Sequence, residues 1–148
     1  MAVRRFQVST RATGTLRIAK VIVFDTAQQM RHHLTRYSPG CPPSYFDDAG
    51  ASTSFRDEWD DRDPRPFQAT IYLNHEHLNL TTIAHECTHV ALHFYQIDGY
   101  REHARASAHM HGGNEPAAYA MSELFSAVIW HFETIEIGHG SDYKEPHS

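Results

Sequence analysis

Between residues 83 and 94 the chain sets Ile83, Cys87, Val90, Ala91 and Phe94 on one side of a helix, while His85 and His89 fall nearly opposite. A helix patterned this way must bury one face against other elements and leave the other free to bind. Two histidines four residues apart lie one above the other, a spacing that suits two ligands of one tetrahedral zinc ion. Glu86 is turned about a quarter of the circumference away, which makes it a poor third ligand but sets its carboxylate near a water in the metal's open position. Zinc lowers the pKa of such a water from far above neutrality to about 7. A neighbouring carboxylate can then take its proton during attack on a peptide carbonyl and later deliver one to the leaving amine. The run His85-Glu86-Cys87-Thr88-His89 therefore points to metal-assisted hydrolysis, with Cys87 a small buried hydrophobe.

The surrounding chain supplies elements for that helix to pack on. Residues 16–24 read as a strand, and Asp25 can cap a helix carrying Met30, Leu34 and Tyr37 at helical spacing. Residues 38–43, Ser-Pro-Gly-Cys-Pro-Pro, form a turn or loop before a short strand at 51–55. The acidic run 57–63 lacks the Gly and terminal Glu of a calcium loop and reads as a solvated connection. Phe67, Ala69, Ile71 and Leu73 alternate with more polar residues as in a half-buried strand, expected at a sheet edge. Asn79, Thr81 or Thr82 can start the motif helix, which should run to about Tyr95. Asp98-Gly99 should then open a His-rich loop to Gly113, and Asn114-Glu115-Pro116 a helix to about Phe132. The expectation is a single α+β domain over residues 1–137 with a flexible tail at 138–148. Its sheet should be small, of three or four mostly antiparallel strands, packed on the motif helix and the helix from Glu115.

Composition narrows the function. With 148 residues, 41% hydrophobic and 21% charged, the chain suits one soluble domain with one site. A formal charge of −5 without a basic stripe excludes nucleic acid as the default partner. No window approaches the roughly 20 apolar residues of a membrane span, and the first five residues lack a secretory pattern, so a cytoplasmic protein without a membrane partner is expected. Two cysteines allow neither a disulfide framework nor a cysteine-cluster zinc site, so any metal must rely on histidine and carboxylate. Thirteen histidines suggest metal chemistry but also make accidental patterns more frequent, which is why the helical phase of the motif matters.

The stretch Ile83-Ala84-His85-Glu86-Cys87-Thr88-His89-Val90-Ala91, preceded by a strand, resembles the zincin superfamily of zinc metallopeptidases, in which a strand is followed by a helix carrying H-E-x-x-H. The resemblance covers about residues 67–132. It implies a minimal zincin-like domain that binds zinc through His85 and His89, uses Glu86 as general base and acts on a protein or peptide substrate. The metzincin variant is not matched, since Leu92 and Tyr95 stand where it has Gly and a third His. The gluzincins and the ImmA/IrrE-type peptidases supply a Glu from a later helix, which implies Glu115 as third ligand. Glu115, Tyr119 and Glu123 share one stripe of that helix, so Glu123 is an alternative. Glu115 at a helix N-terminus also has the simpler role of stabilising that end. Tyr119 stands where the thermolysin-like pattern has Asp, and its hydroxyl could serve a developing oxyanion. The SprT-like zincins take a third His from downstream, for which His103, His109 and His111 are candidates. His93, one turn further along the ligand face, fits a rim position, and His75 and His77 read as solvated. The alternative function is a zinc-stabilised binding or regulatory module whose closed four-ligand site, completed by His111 or Glu123, leaves no water to activate.

Overall fold

The computed structural model describes residues 3–38, 40–55, 67–101 and 115–132. Four strands form one sheet: β1 (Arg4–Thr10), β2 (Arg17–Phe24), β3 (Ser52–Phe55) and β4 (Phe67–Asn74), in the order β1-β2-β4-β3. β1 pairs antiparallel with β2, and β3 antiparallel with β4, but the central β2–β4 pairing is parallel. The fold is thus α+β with a mixed sheet, and the expectation of a mostly antiparallel one holds for the two outer pairings. The parallel centre arises because the chain crosses over between β2 and β4 through helix α1 (Ala27–Arg36), as a parallel connection requires.

Side-chain alternation gives the sheet two apolar faces. Ala19, Val21 and Val23 of β2 and Ala69, Ile71 and Leu73 of β4 face the first core, against α2 (Leu80–Arg101) and α3 (Glu115–Trp130). Ile83, Cys87, Val90, Ala91 and Phe94 of α2 and Ala120, Leu124 and Val128 of α3 complete it. Each fully buried Ile, Val, Leu or Phe contributes about 1.5–3 kcal/mol of transfer free energy. On the opposite face Ile22, Phe24 and Tyr72 meet Met30 and Leu34 of α1 and Phe46 from the short 3-10 turn Pro43–Phe46.

Several sequence expectations are corrected by this arrangement. β1 was not foreseen, because an edge strand reading Arg-Arg-Phe-Gln-Val-Ser-Thr buries only Val8 and Thr10 and carries little apolar alternation. β4 is not an edge: it lies between β2 and β3, and β1 and β3 border the sheet among the described residues. The N-cap of α1 is Thr26 rather than Asp25, with a full capping box to Gln29. α2 does not stop near Tyr95 but continues to Arg101, so Asp98 and Gly99 are helical rather than the start of a loop. The reason is tertiary: Asp98 is buried and accepts hydrogen bonds from Thr13 and from the Arg17 guanidinium, which anchors the last turns of α2 to the β1–β2 hairpin. α3 ends at Trp130, with His131 and Phe132 in the following turn. The acidic run 57–63, most of the His-rich segment and the 138–148 tail lie outside the described residues. Among the described residues, no helix is long and apolar enough to cross a membrane.

Candidate metal centre

The motif helix starts where the sequence allows it to. Asn79 caps α2, its side-chain oxygen accepting from the Thr82 N–H at 2.8 Å. The preceding turn is fixed by buried Asn74, which accepts from His77 N–H at 3.0 Å and donates to the Gly50 carbonyl at 2.8 Å. That second bond ties the end of β4 to the residue leading into β3, so the motif helix and the edge strand are positioned from one point.

From this start, His85 and His89 emerge on the exposed side of α2. Their Nε2 atoms stand 3.1 Å apart, with the rings nearly perpendicular at 84°. Two nitrogens on a tetrahedral zinc at the usual Zn–N length lie about 3.4 Å apart. The two nitrogens thus lie within hydrogen-bonding distance of each other, at nearly the spacing that two ligands of one ion would take. Thr88, between them, turns its hydroxyl back to the Ala84 carbonyl at 2.7 Å and takes no part in the pair.

Glu86, about a quarter of the circumference from the pair, turns toward β3 of the sheet. It is 7% exposed, and its Oε2 accepts a hydrogen bond from the Thr53 hydroxyl of β3. Thr53 pairs with Ile71 across the ladder, so both side chains lie on the α2 face of the sheet. Two turns along α2, His93 stacks on Phe55 of β3 with ring centroids 4.2 Å apart at 28°. Glu86 and His93 thus meet Thr53 and Phe55 in order, and α2 runs along the edge strand. Thr53 was missed by sequence reading, because nothing local links residues 33 positions apart. Cys87 is fully buried, and desolvation, reinforced by the charge of Glu86, pushes its thiol up to about 12. The expectation of a core role for it stands.

The remaining candidates are more dispersed. Glu115 is exposed in the first turn of α3, and Tyr119, one turn later, is 63% exposed. Glu123 accepts from the Thr10 hydroxyl at 2.5 Å and so faces β1, at the far side of the sheet from β3. His75 and His77 are exposed. Among the described residues, no three His, Cys, Asp or Glu side chains are grouped so as to hold a metal, so Glu115 is not gathered with the histidine pair. His103, His109 and His111 lie outside the described residues. Among the described residues, then, only His85 and His89 are brought together as possible metal ligands. Comparisons with family models, curated proteins and solved structures return no match for this chain.

Proposed function

We propose that this protein is a zinc-dependent peptidase, with zinc held by His85, His89 and Glu115 and with Glu86 as the general base. The observation that carries the reading is the convergence of two exposed imidazole nitrogens to 3.1 Å on α2, with a carboxylate in the intervening position. Zinc, when bound, supplies Lewis acidity that polarises a carbonyl and makes water a competent nucleophile near neutral pH. Glu86 moves the proton: it accepts one from the attacking water and returns one to the leaving amine. The Thr53 hydroxyl occupies Oε2 and fixes the carboxylate's orientation, which leaves Oε1 to carry the proton. Among the described residues β3 borders the sheet beside α2, so an extended protein or peptide substrate would add there as a further strand rather than at β4, which the sequence reading had at the edge. Tyr119 is the side chain that would serve the developing oxyanion, and Glu115, an exposed carboxylate on the helix packed against α2 that is not gathered with the pair in this structure, is the proposed third donor.

One observation favours the alternative, a zinc-stabilised binding module without turnover. Glu86 is largely buried and already engaged by Thr53, as a carboxylate with a structural role would be. Metal analysis and a protease assay on an unfolded protein, run on wild type, Glu86→Gln and His89→Ala, separate the two. The peptidase reading expects zinc in wild type and Glu86→Gln, none in His89→Ala, and turnover lowered about 10²–10⁴-fold by Glu86→Gln. Zinc-loaded wild type and Glu86→Gln that are equally inert would leave the binding module. Wild type that takes up no zinc when it is offered would end both readings.

A further inference from the structure

On the face of the sheet away from α2, a cavity of about 270 Å³ opens between α1, the Pro43–Phe46 turn and the β3–β4 pair. Its walls are dominated by rings: His33, Tyr37, Tyr45, Phe46 and Tyr72. These rings already pack on one another, with His33 and Tyr37 centroids 4.7 Å apart, His33 and Tyr72 5.7 Å, and Tyr45 and Phe46 4.9 Å. Ring-faced walls favour a planar aromatic occupant, because stacked and edge-on contacts add to simple burial. The volume lies just under the range of ordinary ligand pockets and limits the occupant to a single ring. Charge sets its sign. Burial and the neighbouring Arg5, Arg36, His32 and Lys20 hold the His33 imidazole below its ordinary 6.5, so the local field among these groups is positive. The Arg36 guanidinium also lies 5.5 Å from the centre of the Tyr37 ring, beside the cavity wall.

We propose that this cavity binds a small single-ring aromatic acid, its ring against Tyr72 and His33 and its carboxylate toward Arg36. The proposal does not rest on the zinc reading: its walls of rings lie on the opposite face of the sheet from Glu86 and the histidine pair, and Thr53, which donates to Glu86, is the one lining residue the two share.

Benzoate is the probe, with benzylamine and cyclohexanecarboxylate as charge and shape controls. Binding is read directly from shifts of the His33 and Tyr72 ring protons in an NMR titration. Its location is read from alkylation of Cys41, which lines the cavity, by iodoacetamide. The only other cysteine, Cys87, is fully buried with its thiol pushed up to about 12 and stays silent. A ligand of this size reaches a Kd on the order of 1 mM, so roughly 10 mM benzoate should slow Cys41 alkylation about tenfold. The two controls should shift the rings and slow the alkylation less than about twofold under the same conditions, being repelled or non-planar. Ser54→Trp, at an exposed position on the cavity wall, should fill the mouth and abolish both benzoate effects while the folded circular dichroism spectrum persists. Absence of ring shifts with benzoate, equal effects from benzylamine, or effects that survive in folded Ser54→Trp would each overturn the proposal.

Discussion

Asp98 and Arg17 form a buried ion pair, 6% and 2% exposed, in which the guanidinium donates from Nε and Nη2 to Oδ1 and the Thr13 hydroxyl donates to Oδ2, which Nε also reaches. Such a pair returns its desolvation cost only while all its partners are present, and removing one partner strands a buried charge. Asp98→Ala should therefore destabilise the protein by about 3–5 kcal/mol, measured by urea unfolding, whereas Thr13→Ala should cost about 1–3 kcal/mol because the ion pair persists. Equal small losses from both would mean that the pair is hydrated in solution. His33 gives a second residue-level expectation. Its folded pKa is lowered below 6.5 by burial and by the surrounding positive groups, so the unfolded chain binds a proton that the folded chain resists. Stability is free of this penalty above pH 6.5 and is progressively lost as pH falls through 6.5 toward the lower folded value. A proton NMR titration should place the His33 midpoint below 6.5, and His33→Gln should flatten part of the acid-side fall in stability.

At the scale of elements, α1 is the piece with the most explicit local instructions. Thr26 and Gln29 close a reciprocal capping box, and the Glu76 carboxylate, from the turn after β4, accepts the Ala27 N–H at 2.8 Å. Thr26→Ala should cost about 1 kcal/mol, and the loss should be smaller in a Glu76→Gln background if the two caps support the same first turn. Strict additivity in a double-mutant cycle would show them acting separately. The same element shows what sequence could and could not reveal. Periodicity was enough for β2, α1, β4 and the motif helix, because each alternates or repeats its apolar residues against a core. It found the histidine pair and the phase of Glu86, since both depend only on one helix. It failed for β1, whose sequence is mostly polar, and for the last turns of α2, where Asp98-Gly99 carries the signature of a helix stop. There a buried partner 81 residues away overrides local propensity. It also misjudged the sheet border: β3 is four residues long and half-exposed, and only the pairing order identifies it, rather than β4, as an edge.

The whole molecule is arranged so that a metal bound at the histidine pair would depend on the intact fold. His85 and His89 have their register fixed by the Asn79 cap, by the α2 face buried on the sheet and by the Asp98 anchor at the far end of the helix. An unfolded chain retains the two imidazoles but not their 3.1 Å convergence. A ligand that binds the native state in preference to the unfolded one stabilises it by RT ln(1 + [L]/Kd), about 2.7 kcal/mol at a hundredfold excess over Kd. The melting temperature of wild type should therefore rise with zinc concentration and fall back on addition of a chelator, because removing the free ion reverses the linkage. His89→Ala should lose this response while keeping its metal-free melting temperature, since His89 is exposed and contributes little packing. Glu115→Gln decides between the third donors: a response reduced but not lost places Glu115 among the ligands, and an unchanged response assigns the third position to the His-rich segment between α2 and α3. A melting temperature indifferent to zinc in wild type would mean that the two nitrogens meet without holding an ion, and the peptidase reading would fall with it.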